Sequence, residues 1–415
     1  MKRVFAVLLA VMTFAMGGCL DARSLDEYGY VLGIGVDAGE ATLYRISFMV
    51  QKEGPSADTA ATGFEVMTAE ADTLSEAVMI SETGLPYELN LSRASLLMVS
   101  QEAAQTNLLE RFLEADLSAE KIRPDLDILV VYGRTDDFMA GLQNDADPNA
   151  AKMQATMLEL SRDAGSLPSA NLALFMEGIR GGRFDPILPL GVMDENIDLP
   201  MKDGQPQQPE APAPELSVDM TGCLHGHDSA LAATTERKGG LRSAFAGSAV
   251  FDGCRMVGFL STLHTEVLLM ARGEYHTGIL KLTDGEGRLM SLRLTADREP
   301  KTELALTDPP RVRITVPLTC RLEMEDSLAV GLPPIGKDAL ERCAEEFLER
   351  EISRVFAACR ERGADAFGFG RLASMRFATV SAWEGYAWQA QYPRLEAEFC
   401  FRVELDDRER VSKPE

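Results

Sequence analysis

The sequence predicts an α+β protein of several mixed α/β segments, closing in an antiparallel sheet packed by one long helix. Three observations predict it. Apolar residues alternate with polar ones at period two in stretches spread along the whole chain. Between them lie runs of helical period opened by capping residues, and a proline-rich stretch near the middle breaks the pattern.

The first element stands outside that fold. Lys2 and Arg3 precede an apolar run from Val4 to Met16, about 13 residues, which suits an export signal and is short of the ~20 a spanning helix needs. The small pair Gly17-Gly18 then leads straight to Cys19. This seam resembles the lipobox of bacterial lipoproteins, in which the cysteine is acylated and becomes the new N-terminus. Residues 1–18 are therefore expected to be removed and Cys19 to be the lipid attachment point. Without residues 1–18 the chain keeps 39 basic against 65 acidic residues, a charge of −26. Such a body repels nucleic acid and anionic headgroups, so the anchor, not charge, would hold it at a membrane.

An N-terminal mixed α/β domain is expected over 19–197. It starts with the strands YGYVLGIGVD and LYRISFMV; Thr73-Leu-Ser-Glu76 reads as a capping box opening a helix. A strand in RASLLMVS, a helix from about Gln101 to Ala115, a strand in DLDILVVYG and the closing stretch FDPILPLGV follow. Residues 198–240, with DGQPQQPEAPAPE, are too rich in proline and polar residues to bury a core and read as a linker or loop.

The C-terminal α+β region is expected over 241–410, divisible into 241–308 and 309–410. SAFAGSAVFDGCRMVGFLS reads as a hairpin turning at Asp252-Gly253. PRVRITVPLTCRLEM sets Val312, Ile314, Val316, Leu318, Cys320 and Leu322 on one face. A helix is expected from an Asp338–Glu341 capping box to Gly363 at its C′ position, with Glu345, Glu349 and Arg350 opposite its apolar stripe. RLEAEFCFRVEL supplies the last strand, and the loop ADAFGFG before it carries Phe367 and Phe369. Those rings either plug the end of the core or anchor a partner subunit; the core role is the expectation for at least one of them.

Little in the sequence speaks for catalysis. Gly33-Ile-Gly35 is followed by Val36 and Asp37 and another strand, not by a helix, so it cradles no phosphate. G-x-S-x-G, Walker and H-E-x-x-H patterns are absent, and the chain has 4 histidines. Cys223, His225 and His227 could offer three metal ligands, but a fourth is missing and they lie in the proline-rich stretch. No metal site and no cofactor are expected. Adjacent acids such as Asp136-Asp137 read as solvated surface. The cysteines beyond Cys19 are scattered without the spacing of a disulfide framework.

The mature start CLDARSLDEYGYVLGIGVD resembles that of the C subunits of bacterial spore germinant receptors. Cys19, Asp21, Arg23, Leu25, Glu27, Val31, Gly33, Gly35 and Asp37 fit the register, with Leu20 in place of an aromatic residue. LYRISFMVQ, TLSEAVMISETG, LLERFLEADLSAEKIRPDLDILVVYGRTDDFM, FDPILPLG, GSAVFDGCRMVGFLS and ADAFGFGRL follow in the family's order. The resemblance implies a non-enzymatic, lipid-anchored receptor subunit of three mixed α/β domains on the outer face of the spore inner membrane. It would act with integral-membrane A and B subunits in nutrient-triggered germination; whether it touches the nutrient stays open. The alternative is a lipid-anchored solute-binding protein, which should show two similar lobes around a cleft.

Overall fold

The structure, a computed structural model, describes residues 28–51, 63–115, 122–142, 163, 165–193, 201–202, 205–206, 243–326 and 331–406. Cys19, the CLHGH motif and nearly all of the 198–240 stretch lie outside these residues, except for a two-residue ladder between 201–202 and 205–206.

The first half is built on one wide sheet. Its strands are β1 (Tyr28–Ala38), β2 (Tyr44–Gln51), β3 (Phe64–Ala71), β4 (Glu88–Asn90), β5 (Leu96–Ser100), β6 (Asp127–Val131), β7 (Ile187–Met193), β8 (Ser243–Asp252) and β9 (Arg255–Leu260). They lie in the order β9-β8-β7-β6-β5-β1-β2-β3, with β4 also beside β1. β1, β5, β6 and β7 run parallel, and the pairs β1–β2, β2–β3, β7–β8 and β8–β9 are antiparallel. Helices cover both faces: α1 (Leu74–Glu82), α2 (Gln101–Gln105), α3 (Leu108–Ala115), α4 (Thr135–Gly141) and α5 (Leu172–Gly181). Consecutive residues of β5 and β6 therefore enter different cores. Leu97, Val99, Ile128 and Val130 pack on one side of the sheet, while Leu96, Met98, Leu129 and Val131 pack on the other. A strand covered on both faces reads as an unbroken apolar run because neither face meets water.

The expected hairpin at 243–260 is present, but it belongs by pairing to this first sheet and not to the C-terminal region. Ser243 sits opposite Met193, and Val250 opposite Ile187. The chain thus leaves this sheet at Met193 and re-enters it at Ser243 on the adjacent antiparallel strand. The turn also sits one residue later than expected. Asp252 pairs with Arg255, and Gly253, at φ +58°, is the first of the two turn residues.

The second half holds a five-stranded sheet of β10 (Thr277–Thr283), β11 (Leu289–Thr295), β12 (Lys301–Ala305), β13 (Arg311–Glu325) and β14 (Glu396–Leu405). All pairs are antiparallel but one, since β14 runs parallel to β13 from Arg311–Glu396 to Cys320–Leu405. Here one face is dry. Val312, Ile314, Val316, Leu318 and Cys320 are buried, while Arg311 and Arg313 pair across the open face with Glu396 and Glu398, both at 2.8 Å.

The long helix α7 (Lys337–Glu361) packs its stripe of Leu340, Ala344, Leu348, Ile352, Val355, Phe356 and Cys359 on that dry face. It ends as expected in a Schellman motif: Gly363 N–H donates to the Arg360 carbonyl (3.1 Å) and Ala364 N–H to the Cys359 carbonyl (3.0 Å), with Gly363 at φ +73°. Its start differs, because Gly336 is the N-cap and Asp338 lies inside the first turn. Glu345 and Glu349 are not on a solvated back face either. Glu341, Glu345 and Glu349 accept the backbone N–H groups of Leu405, Val403 and Phe401 at 2.8, 3.0 and 3.0 Å. Four helical residues rise about 6 Å and two strand residues about 6.8 Å, so carboxylates at i, i+4 and i+8 keep step with alternate N–H groups of a strand running the other way. This ladder covers the edge of β14 that faces away from β13.

Helix α6 (Thr262–Arg272) joins the two halves. It is buried along almost its whole length, and its core cluster holds Ile187, Val250 and Leu260 from the first sheet together with the dry face of the second. The partly buried His264 of α6 and the buried Glu351 of α7 approach to 3.4 Å, and Glu351 also pairs with Arg350 and Arg354.

Candidate functional site

Two signature stretches far apart in sequence, FDP at 184–186 and ADAFGFGR at 364–371, meet at the junction of the halves. The residues that join them are aspartates. Asp365 N–H donates to Oδ2 of Asp185 (2.7 Å), and Asp185 N–H donates to the Asp365 carbonyl (3.1 Å). Oδ1 of Asp185 accepts the Gly253 N–H of the β8–β9 turn (2.9 Å). The Asp365 carboxylate accepts three donors: Phe369 N–H (3.0 Å), Gly370 N–H (2.6 Å) and the Trp388 indole N–H (2.9 Å). It thereby caps α8 (Phe369–Ser374) and ties it to α10 (Trp388–Gln391), which follows α9 (Val380–Tyr386).

Glycine makes this approach feasible, since a Cβ on Gly370 would stand 2.5 Å from both the Arg183 carbonyl and the Trp388 nitrogen. Around it, Arg371 pairs with Glu177 (2.9 Å) and lies over the Phe184 ring, and Arg272 donates to the Ala366 carbonyl (3.0 Å). Burial pushes the Asp365 carboxyl up to about 6, opposed by its three donors and reinforced by the nearby Asp185 charge. Asp185 is raised as well, chiefly by burial.

Phe367 and Phe369 lie within this junction, 8% and 2% exposed. They stack on each other at 5.2 Å and meet Phe356 of α7 edge-on. In this conformation neither ring offers a surface to a partner. Asp185 and Asp365, which sequence reasoning passed over, are the residues that build the site. The available signal was local: Asp365 stands four and five residues before the N–H groups it caps.

A second polar feature lies at the carboxyl ends of β1, β5 and β6, the place where open α/β sheets commonly hold ligands. It is a crevice of about 390 Å³ lined by Asp37, Glu40, Arg45, Glu102 and Arg134 among others. The GIGVD signature shapes its wall. Gly35 leaves room for the Thr135 side chain, and Asp37 accepts the Thr135 N–H (3.0 Å) and hydroxyl, capping α4 from a distant strand. Asp136 is not solvated surface. Against the cost of burial, hydrogen bonds from Arg134 (2.7 Å) and Arg45 (3.0 Å) hold its carboxyl down at about 2. Asp137, its neighbour, is largely exposed, and its carboxylate also approaches the Arg134 guanidinium (3.8 Å), so the two acids flank one cation. Both guanidiniums bond Asp136, and each reaches a second carboxylate, Arg45 that of Glu70 (3.7 Å) and Arg134 that of Asp137 (3.8 Å). Among the described residues no group of three or more His, Cys, Asp or Glu is placed to hold a metal ion, and Cys254, Cys320, Cys343, Cys359 and Cys400 are free thiols.

Comparison with known proteins matches this architecture to one family. Residues 21–192 fit the profile of the spore germination protein N-terminal domain, and residues 246–408 that of the spore germination B3/GerAC-like C-terminal domain. The solved structure described as the crystal structure of the GerBC protein has a similar fold, with a TM-score of 0.53 at 12% identity over 90% of this chain and 97% of that one. No curated protein matches the chain. With both profiles fitted in order and together spanning most of the sequence, the chain belongs to the Ger(x)C family of germinant receptor C subunits, proteins of spore germination.

Proposed function

We propose that this chain is the lipid-anchored, non-catalytic C subunit of a germinant receptor complex. It is held through Cys19 on the outer face of the spore inner membrane and acts with integral-membrane A and B subunits. The observation that carries the reading is the pairing of a lipobox-like seam at Gly17-Gly18-Cys19 with family profiles that begin two residues later and cover both halves. No helix among the described residues is long and apolar enough to cross a membrane. Two acyl chains suffice for stable anchoring where one is marginal. The solute-binding alternative calls for two similar lobes. Here one sheet has four parallel strands at its centre and helices on both faces, and the other is mostly antiparallel with one open face.

The test is fractionation of spores carrying Cys19→Ser. The variant is expected to fold, to appear in the soluble fraction and to stop co-purifying with the integral-membrane subunits. Retention in the membrane after a high-salt wash would show that the anchor is not Cys19. Soluble protein that still supports a normal nutrient response would show that anchoring is not needed for the receptor role.

A further inference from the structure

The chain enters the described fold at Tyr28, nine residues after Cys19. Nine residues span at most about 30 Å when fully extended. If Cys19 carries the lipid, as proposed above and on which this inference rests, the amino end of β1 stays within that distance of the bilayer.

The last turn of α1 leaves Met79 63% and Ile80 40% exposed; the other strongly exposed apolar side chains, Met375 and Val380, lie far along the chain at the end of α8 and on α9. The turn is tied directly to the chain entry. Glu82 of α1 accepts the Leu89 N–H of β4 (2.8 Å), and β4 pairs with β1 from Tyr28–Glu88 to Tyr30–Asn90. The half-buried Tyr87 packs against Gly29, and the Arg93 guanidinium lies 4.0 Å over the Tyr30 ring. Apolar side chains, aromatic rings with polar tips and a cation seated on one of them thus lie on the elements joined to the point where the tether arrives. This is the composition that settles at a membrane interface, with aromatic rings at headgroup level.

Charge decides where such contact can occur. The chain as a whole is strongly acidic, at −24, and most of its surface is repelled by anionic lipid. Beside Met79 and Ile80 the Glu82 carboxylate is turned inward onto a backbone N–H, and Arg93 adds an exposed cation over the Tyr30 ring. We propose that the amino end of the first sheet, presenting Met79 and Ile80 beside Tyr30, Tyr87 and Arg93, is a bilayer-contact surface that fixes how the anchored subunit stands on the membrane.

The experiment uses the full-length lipidated protein on phosphatidylglycerol–phosphatidylethanolamine vesicles, with and without brominated acyl chains. Met79→Trp adds an indole at the exposed site, while the native Trp383 and Trp388 are buried and give the background measured on the unmodified protein. The variant is expected to lose emission in brominated vesicles, with no such loss in the unmodified protein. In parallel, amides of 28–30 and 85–93 are expected to exchange more slowly on vesicles than in solution, and Met79→Glu/Ile80→Glu to abolish that protection while the protein stays bound. Undiminished emission from a variant that remains on the vesicles would overturn the contact surface and leave the anchor reading intact. Protection that appears only when integral-membrane partners are present would assign the patch to a protein and overturn it too. Unmodified protein that washes off, or Cys19→Ser protein that stays on, would instead break the anchor reading beneath it.

Discussion

The two sheets solve burial differently, and the difference shows in their central strands β5 and β13. In β5, Leu96, Leu97, Met98, Val99 and Ser100 are all buried, because α2 and α3 lie on one face and α4 on the other. In β13, buried Val312, Ile314, Val316, Leu318 and Cys320 alternate with exposed or half-exposed neighbours, because α7 covers one face and water the other. The edges differ as well. The first sheet ends in β3 and β9, whereas the second closes its β14 edge with the carboxylates of Glu341, Glu345 and Glu349. An edge strand left open is a template for unwanted pairing, and inward-facing charges are one way to block it.

The sharpest test of this contrast substitutes neighbours. Leu97→Ala and Met98→Ala should each destabilise by about 2 to 5 kcal/mol, since each leaves a cavity in a separate core. In β13 the effect should alternate: Val316→Ala should fall in the same class, and Arg313→Ala should leave stability nearly unchanged, because its ion pair with Glu398 is exposed. Denaturant midpoints would decide it, and an alternating effect in β5 would refute burial on both faces.

The junction between the sheets should make stability depend on pH. An ordinary aspartate titrates near 3.8 and Asp365 near 6, so between these values the native state holds a proton that the unfolded chain has released. Stability therefore falls as pH rises through this window, by up to about 3 kcal/mol, and the raised Asp185 acts in the same direction. Asp136, held near 2, works oppositely and below about pH 4, where its protonation removes stability. Asp365→Asn should flatten the slope between pH 4 and 6. An unchanged slope in that variant would place the dependence elsewhere.

Replacing 194–242 by a tight turn asks whether β7 and β8 really share one sheet. The variant should fold and gain up to about 3 kcal/mol from the shorter loop, if loop closure alone governs the change. A nick in that segment should likewise leave two fragments that co-elute. Fragments that separate on gel filtration would contradict the pairing of Ser243 with Met193.

The smallest effect is expected at the glutamate ladder. Glu345→Ala or Glu349→Ala should cost about 1 kcal/mol, because water can partly replace the lost acceptor. The more telling readout is association: the double variant should self-associate at concentrations where the parent is monomeric, and light scattering identical to the parent's would remove the edge-blocking role.

Much of this was legible in sequence because it is local. Period-two alternation marked β2 and β13, and the Thr73 capping box marked α1, whose Glu76 N–H does bond the Thr73 hydroxyl (3.1 Å). Gly363 fixed the end of α7. The helix expected over 101–115 is instead α2 and α3, broken at Thr106-Asn107, where the Thr106 hydroxyl accepts the Leu108 N–H (3.4 Å). Such side chains compete with helical bonding wherever they fall mid-run.

The sequence by itself determined β1, β2, β5, β6, β8, β9, β13 and β14, the long helix and its stripe, and the family, since each rests on spacing within about twenty residues or on motif order. Tertiary structure alone decided which sheet owns the 243–260 hairpin, which way Glu341, Glu345 and Glu349 face, and that Asp185 and Asp365 clasp each other across 180 residues. The reason is physical. An apolar face states only that it must be covered, and a backbone N–H or carboxylate only that it must be paired; the partner is chosen by which chains the whole fold brings within 3 Å.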